Sequence, residues 1–546
     1  MAYDLLLKNG RVVDGTGAPS FVADVGVAGG KIVDIGQLDG PAKRVIQADG
    51  QAVAPGFIDN HCHFDAQALW DPICTFACYH GTTTVINGNC SLGLAPARPD
   101  ERYALTSMLS RVEAIPLKAL QAGVEWSWET IPEYLDVLDR RLGVNVGALI
   151  GFSAVRRYVM GDAAYSELAT TEHIDQMKAI VREGIAAGAL GLSFERQPTH
   201  MDLELRLLPC NIASSEELVA VAGALAEIGA GTIQFGDFNR AEIAEGLLTR
   251  MAQASGRPMI ANWAGQDEFE GGAQIYPTMS SFVQSTARWT LLTVATFDGL
   301  PAWLPVMNSE PNEKRRLIQD PGVRAKLRED ANRTRPGGRP GVDWDSIYIA
   351  SVALEKNRQF VERSVEDVAR QQGKDPLDTF LDLALEEDMK TTFYPHSKVG
   401  VEEKAALLKK PGVVPGLSDG GAHVIRRCQS HYTTHMLSFW VRESGMMSLE
   451  EGIQKLTSLP ASVFGLHDRG QIRPGLAADL VVFDPDTISA GDMDEVSDFP
   501  ASAVRKRRLS EGIEYTIVNG QVLIEEGEHT GALPGRVVSP TRRSQP

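Results

Sequence analysis

Four side chains of the kinds that bind transition metals occur in polar segments, each shortly after an apolar run. They are His61, His63, Cys90 and Asp419. Imidazole, thiolate and carboxylate groups together suit Zn²⁺ or a related transition metal. Such an ion lowers the pKa of water toward neutrality, and a nearby carboxylate can take a proton during attack and return it to a leaving nitrogen. These residue types therefore indicate metal-assisted hydrolysis, with Asp419 as a metal ligand and as the general base and acid.

The spacing of His61 and His63 strengthens the metal hypothesis. Alternate residues of an extended segment point to the same side, so the two imidazoles share a side while Cys62 points away. Each candidate also has an ordinary alternative. The histidines are then polar loop residues, Cys90 is a buried inert thiol, and Asp419 is a helix N-cap.

Eight apolar, strand-like segments alternate with helical stretches in the middle of the chain. This alternation favours a parallel sheet covered on both faces, and eight such units favour a closed (β/α)8 TIM barrel of the α/β class. In such a barrel, functional side chains gather at the carboxyl ends of the strands, where the four candidates stand. The eight predicted strands are residues 52–59, 83–87, 146–152, 189–194, 232–235, 258–263, 273–276 and 413–418.

Both ends of the chain contain short strands with Asn-Gly hairpin signals. We expect residues 1–54 and 470–546 to form one small β-sandwich, and residues 55–469 to form the barrel. Residues 280–341 fit the alternation poorly and are predicted to be an insertion beside the mouth of the active site. Within the barrel, Ser214 and Glu217 fit a capping box that would begin a helix.

The bulk composition narrows the class of protein. A net charge of −18 argues against binding to nucleic acid or to an anionic membrane, but it does not identify the substrate. We expect a small-molecule substrate. The six cysteines lack the paired spacing of a disulfide framework, and the amino terminus lacks a secretory signal. We expect a soluble protein of the reducing cytoplasm, and a homo-oligomer.

Several motifs make the chain resemble the amidohydrolase superfamily, and within it the D-aminoacylase (N-acyl-D-amino-acid deacylase) branch. The resemblance spans nearly the whole chain. It implies the barrel and the terminal sandwich, with a metal held by His61, His63, Cys90 and Asp419. The motifs are Pro55-Gly56-Phe57-Ile58-Asp59 before His61-Cys62-His63, His80-Gly81-Thr82-Thr83-Thr84 before Gly88-Asn89-Cys90, Tyr158-Val159-Met160-Gly161, Gly188-Ala189-Leu190-Gly191-Leu192-Ser193, Tyr276-Pro277, Ser418-Asp419-Gly420, and Asn519-Gly520-Gln521 with residues 530–536.

The chain departs from this family pattern at three strand ends. The family supplies one histidine after strand five and one after strand six, where this chain has Gln234-Phe235-Gly236-Asp237 and Ala261-Asn262-Trp263-Ala264. The family's Gly-His after strand three is replaced here by Gly151-Phe152. In addition, no lysine ends strand four, so a carbamylated lysine that bridges two metals is not supported. We therefore expect either one Zn²⁺, or another divalent metal, per subunit rather than two, or a site that is only weakly metallated in the isolated protein.

The same departures predict an apolar pocket and leave other roles open. Phe152, Phe235 and Trp263 favour a bulky or aromatic substrate, although each could equally be a core residue. Tyr276 is a candidate to polarise the scissile carbonyl or to bind a substrate carboxylate, and His423 is a candidate neighbour of Asp419. Arg426 and Arg427 are candidates for binding a carboxylate. Glu195 and Asp237 are candidates to replace a missing metal ligand.

Three functions follow from these residues. The first is hydrolysis of an amide, either of an N-acyl amino acid or of a related bulky or aromatic amide, by metal-activated water. The second keeps the metal site but cleaves a lactone, an ester, a cyclic amide or an activated C–C bond. The third is a barrel that has lost catalysis and only binds a ligand.

Overall fold

The computed structural model describes residues 2–236, 246–262, 274–279, 288–293, 296–334 and 341–541. The contacts within the chain divide it into two compact units. The first consists of Met1–Val283 and Glu402–Pro546, and the second is Gln284–Val401. The second unit begins close to the start of the predicted insertion and extends well past residue 341. The domain boundaries given above stay a prediction.

The strands are numbered along the chain. They are β1 Tyr3–Val12, β2 Phe21–Ala28, β3 Lys31–Gly36, β4 Ala42–Gln47, β5 Ala52–Pro55, β6 Phe57–Asp59, β7 Thr82–Asn87, β8 Asn145–Gly151, β9 Gly191–Phe194, β10 Thr232–Phe235, β11 Met259–Asn262, β12 Ile275–Met279, β13 Ile347–Ser351, β14 Thr392–Pro395, β15 Val414–Pro415, β16 Leu480–Phe483, β17 Ser489–Phe499, β18 Ala503–Glu511, β19 Ile513–Val518, β20 Gln521–Glu525 and β21 Glu528–His529.

The barrel domain is a curled, parallel sheet of eight strands in the order β6-β7-β8-β9-β10-β11-β12-β15. Every residue of β7, β8, β9 and β10 is buried, as expected for a parallel sheet that is covered on both faces. Beyond the last strand, Cys62 and Gly420 form a parallel bridge, so the segments that follow β6 and β15 run side by side. The sequence prediction of a TIM-barrel-like domain is confirmed at this level.

The first predicted strand, residues 52–59, is in fact two strands that belong to different sheets. Ala52–Pro55 joins the terminal sheet, and Phe57–Asp59 begins the barrel. The chain changes sheet at Gly56, whose N–H donates to the carbonyl of Asp479 at 2.8 Å. A Cβ atom at residue 56 would lie 2.2 Å from Oγ1 of Thr83, so the crossing requires glycine.

Both ends of the chain contribute to one nine-stranded sheet. Its order is β21-β20-β19-β16-β5-β1-β2-β3, with β4 paired to β1. The antiparallel pair β16–β5 joins the carboxyl-terminal strands to the amino-terminal strands. The packing of these strands into a two-layered sandwich stays a prediction.

Helices lie between the strands of both units. The α-helices are Gln67–Trp70, Arg102–Glu113, Leu117–Gly123, Ile131–Leu138, Phe152–Met160, Thr171–Ala187, Pro209–Ile212, Ser215–Ala222, Ala224–Ile228, Leu247–Ser255, Trp303–Met307, Pro311–Gln319, Pro321–Asn332, Val365–Gln372, Pro376–Glu386, Val401–Lys409, Tyr432–His435, Leu449–Leu456 and Ser458–Val463. A π-helical segment spans Met436–Glu443, and the 3-10 turns are Ala77–His80, Gly161–Tyr165, Trp344–Ser346, Glu355–Phe360 and Pro500–Ser502. Within the described ranges, no helix combines the length and the apolar character needed to cross a membrane.

The helix Ser215–Ala222 begins after Ser214, as predicted, but its capping box is only half formed. The Ser214 side chain accepts the N–H of Glu217. The Glu217 carboxylate does not turn back to the cap, because it forms a buried ion pair with Arg156 at 2.7 Å. The sequence pattern could not show that a distant arginine would take this carboxylate.

The second unit has its own aromatic core. Its two strands, β13 and β14, pair antiparallel. The large buried rings at its centre are Trp289, Phe297, Trp303, Trp344, Phe380 and Phe393.

A buried carboxylate links the barrel to the terminal sheet. Asp479 accepts hydrogen bonds from Asn145 Nδ2 at 3.0 Å and from the N–H of Asn519 at 2.7 Å, and it pairs with the buried guanidinium of Arg469. Asn145 is the first residue of β8, and Asn519 follows β19. This one side chain therefore connects the barrel sheet to the nine-stranded terminal sheet.

We predict that Asp479→Ala lowers the free energy of unfolding by about 3–5 kcal/mol, because it leaves the Arg469 charge buried without a partner. Urea denaturation measures the change. Lys43→Ala, which breaks an exposed pair with Asp4, is the control and should unfold like the wild type. Equal behaviour of the two variants would contradict the linking role of Asp479.

Candidate active site

The two histidines after β6 point into the same buried space. His61 and His63 are 2% and 1% exposed, and their ring centroids lie 5.3 Å apart. The Cys62 thiol between them faces the last two residues of β7, with Sγ 3.2 Å from the Ile86 carbonyl and 3.1 Å from Oδ1 of Asn87. The alternation predicted from the sequence is therefore present, and Cys62 is directed away from the histidines.

Cys90 reaches this space from the loop after β7. Its Sγ lies 3.3 Å from Nε2 of His61. One ligand atom from each of His61, His63 and Cys90 lies within 4.8 Å of the other two. Zinc–nitrogen and zinc–sulfur bonds of about 2.1 and 2.3 Å give a tetrahedral N···S edge of about 3.6 Å. The Cys90–His61 separation fits that edge.

The backbone around Cys90 is fixed by its neighbours. Cys90 has a positive φ of 54°, and its N–H donates to Oε1 of Gln234 at 3.2 Å. Gln234 therefore stands at the end of β10 as a support for the Cys90 loop. A Cβ at Gly88 would meet the Leu149 carbonyl at 2.2 Å, so glycine is required where the loop passes β8.

Asp419 faces both imidazoles from the loop after β15. Its Oδ1 lies 3.7 Å from Nε2 of His61 and 3.9 Å from Nε2 of His63, while its Oδ2 accepts a hydrogen bond from Nη2 of Arg427 at 2.6 Å. No helix begins at Asp419 within the described residues, so it does not serve as the N-cap that its sequence context also allowed. Its carboxylate is directed at the histidines instead.

Hydrogen bonds hold the Asp419 loop against the histidine segment. The Ser418 hydroxyl donates to Oδ2 of Asp59 at 2.6 Å, and the N–H of His63 donates to the Gly420 carbonyl at 2.7 Å. Asn60 Nδ2 donates to the Pro415 carbonyl at 2.7 Å. These bonds bring together residues that are more than 350 positions apart along the chain.

The electrostatics of the site favour metal binding. Burial, and then the neighbouring His200, lowers the pKa of His61 to about 3, and burial lowers the pKa of His63 well below its usual value. Both imidazoles are therefore neutral at physiological pH and present a lone pair to a cation. Two neutral imidazoles, a thiol and a carboxylate oxygen form a donor set that fits zinc.

Two residues at the site were missed by the sequence analysis. Glu113 ends the helix Arg102–Glu113, and its Oε1 lies 3.5 Å from Nε2 of His63. Burial, and then Asp419, raises the pKa of Glu113 well above its usual range. His200 lies in the segment after β9, and burial lowers its pKa to about 4. A carboxylate in the last turn of a helix opposes the helix dipole, and this was the one signal that could have identified Glu113.

The predicted polar neighbours of Asp419 lie beside it. Nε2 of His423 is 3.9 Å from Oδ2 of Asp419 and 3.7 Å from Oε2 of Glu113. Arg427 binds Asp419 directly, and Arg426 is half-buried next to it in the chain.

Two of the three predicted substrate-binding aromatics belong to the buried core. Phe152 and Phe235 are fully buried, and Phe194 connects them with centroid separations of 5.1 and 6.0 Å. Trp263 and Asp237 lie outside the described residues.

Two other candidates are also placed by the structure. Tyr276, in β12, packs against an apolar cluster that includes Ile260 and Val414. The side chain of Glu195, which follows β9, is buried and accepts the N–H of Gln197 at 2.7 Å.

Comparison with known families assigns the chain to one of them. The profile of the amidohydrolase family matches residues 44–310 and 318–524. The chain belongs to the amidohydrolase family. The sequence prediction of an amidohydrolase-family enzyme is thereby confirmed.

Individual relatives cover almost the whole chain. A D-aminoacylase from Alcaligenes xylosoxydans xylosoxydans is 28% identical over 99% of this chain and 98% of its own length. An N-acyl-D-aspartate deacylase from the same organism is 28% identical over 98% and 95%. The predicted resemblance to the D-aminoacylase branch is confirmed.

Solved structures show the same fold. A D-aminoacylase crystal structure is 24% identical, with a TM-score of 0.64, and covers 98% of this chain and 100% of its own. The N-acyl-D-glutamate deacylase of Bordetella bronchiseptica, in complex with zinc and a phosphonate inhibitor, is 24% identical with a TM-score of 0.65. The alignment covers 99% of this chain and 100% of that structure.

We predict that Cys90→Ser weakens zinc binding strongly. Mutation of a residue that only supports a metal ligand typically costs roughly 10- to 100-fold in affinity, and the loss of Cys90 should cost more. Equilibrium dialysis against a zinc chelator measures the change. Cys62→Ser is the matched control, because this buried thiol lies between the two histidines but faces away from them. If the two variants bound zinc equally well, Cys90 would not be a ligand.

Proposed function

We propose that this amidohydrolase cleaves the amide bond of an N-acyl amino acid or a related bulky amide, using one zinc ion per subunit. The convergence of His61, His63 and Cys90 within 4.8 Å, with Asp419 beside both imidazoles, carries the proposal. The deacylase names of the full-length relatives support the choice of an amide bond.

The four predicted ligands would hold the cation. When bound, a divalent cation supplies Lewis acidity, which lowers the pKa of water and polarises a carbonyl group. His61 and His63 would contribute neutral nitrogen atoms, Cys90 its sulfur and Asp419 its Oδ1.

Asp419 would move the proton. Its Oδ1 faces the imidazoles, so it can take a proton from the attacking water and return it to the leaving nitrogen of the amide. Arg427 fixes the orientation of this carboxylate by binding Oδ2. His423, with Nε2 at 3.9 Å from Oδ2 of Asp419, would help to position the carboxylate.

Arg427 would also recognise the substrate. Its Nη2 binds Asp419, while its buried Nε has no hydrogen-bond partner among the described residues. A carboxylate next to the scissile amide could accept that bond. This geometry favours an N-acyl amino acid over a neutral lactone, with Arg426 as a second positive charge nearby.

The remaining predictions concern residues and properties away from the metal donors. A substrate-binding role for Phe152, Phe235 and Trp263, and a carbonyl-polarising role for Tyr276, stay predictions. So do the full closure of the barrel, the terminal sandwich, the cytoplasmic location and the homo-oligomeric state.

We predict that the zinc-loaded enzyme releases free amine from N-acyl amino acids. A panel of D and L substrates with aliphatic and aromatic side chains, together with lactones, tests the bond and the stereochemistry. Asp419→Asn should lower kcat by about 100-fold or more, because it cannot accept the proton. Asp494→Asn, on the exposed β17–β18 ribbon, should keep full activity.

Two results would contradict this function. Turnover of lactones without turnover of any amide would favour the second function given by the sequence. Zinc content well below one equivalent, with Asp419→Asn behaving like the wild type, would favour a barrel that only binds a ligand.

We further predict that Arg427→Met raises KM for an N-acyl amino acid by roughly 10-fold or more, as expected when a charged hydrogen bond is lost. The matched substrate is the N-acyl amine that lacks the carboxylate. Its KM should not change, although kcat should fall for both substrates because Asp419 loses its partner. An equal rise of KM for both substrates would contradict carboxylate recognition by Arg427.

A further inference from the structure

Glu113 approaches the metal donors from outside the barrel strands. It is the last residue of the helix Arg102–Glu113, and Ala114 ends that helix with a φ of +48°. The carbonyl of Glu113 accepts the backbone N–H of His423, which ties the helix end to the Asp419 loop. The backbone of Glu113 is therefore held next to the Asp419 loop.

The Glu113 side chain is part of a closed ring of contacts. Its Oε1 lies 3.5 Å from Nε2 of His63, and its Oε2 lies 3.7 Å from Nε2 of His423. Asp419 completes the ring, with Oδ1 at 3.9 Å from His63 and Oδ2 at 3.9 Å from His423. Carboxylates and imidazoles alternate around this ring, and each carboxylate uses both of its oxygens.

The location of Glu113 is electrostatically unfavourable without a cation. The carboxylate is 3% exposed, it stands at the negative end of a helix, and it faces the second carboxylate of Asp419. Asp65 and Glu195 add further negative potential, and Arg427 adds positive potential. A divalent cation would balance an ionised Glu113 beside Asp419 and a Cys90 thiolate.

We propose that Glu113 is an additional ligand of the zinc held by His61, His63, Cys90 and Asp419, an inference that rests on the proposed function. Cys90 is 3.3 Å from His61, while Glu113 is 3.5 Å from His63, so each donor contacts a different imidazole. The donor set becomes two nitrogens, one sulfur and two carboxylates. The added carboxylate raises the negative charge of the site and thereby its affinity for a divalent cation.

The experiment measures metal binding and not turnover. Glu113→Gln, which keeps the size of the side chain but removes the charge, should weaken zinc binding at least 10-fold in a chelator competition. Co²⁺-substituted Glu113→Gln should show visible absorption bands that differ from those of the Co²⁺-substituted wild type, because a ligand is lost. Glu113→Asp, which withdraws the oxygens by one methylene, is the second variant and should lose less affinity than Glu113→Gln.

Glu217→Gln is the matched control, because Glu217 is a buried carboxylate whose side chain pairs with Arg156 and not with a metal donor. It should bind zinc and Co²⁺ like the wild type. Wild-type zinc affinity in both Glu113 variants would overturn the proposal. So would weaker binding with unchanged Co²⁺ bands, because Glu113 would then act through His63. Zinc-loaded wild type that hydrolyses no amide would overturn the proposed function but would leave this measurement valid.

Discussion

The arrangement of the metal donors depends on one contact, between the segments that follow the first and the last barrel strand. His61 and His63 stand on one segment and Asp419 on the other, and the Ser418–Asp59 hydrogen bond of 2.6 Å holds the segments together. A parallel bridge between Cys62 and Gly420 also joins the two segments. This contact requires the barrel sheet to be curled, because only a curled sheet brings its first and last strands next to each other.

The second constraint is the cost of burying charge. His61 and His63 are buried and neutral, and Asp59 beside them is so desolvated that its pKa rises to about 7. A site with these properties repels protons from its imidazoles and offers lone pairs and carboxylates to a cation. The geometry and the electrostatics therefore point to the same chemistry.

Much of the fold could be predicted from the sequence, because buried parallel strands are near-continuous apolar runs. The eight predicted segments each overlap a strand of the barrel sheet, and the His-x-His alternation is present as expected. The exchange of sheets at Gly56 could not be predicted, since it depends on the contact with Thr83. Glu113 was missed for a similar reason. It comes from a helix and not from a strand end, and only the folded chain shows that this helix ends at His63 and His423.

The proposed chemistry requires these distant side chains to converge on one metal ion. The most direct measurement is a crystal structure of the zinc-loaded protein, with diffraction data collected on both sides of the zinc absorption edge. We expect one anomalous peak bonded to a ring nitrogen of His61, a ring nitrogen of His63 and the sulfur of Cys90. Density in which these three side chains point apart, with no anomalous peak between them, would rule out a shared metal ion.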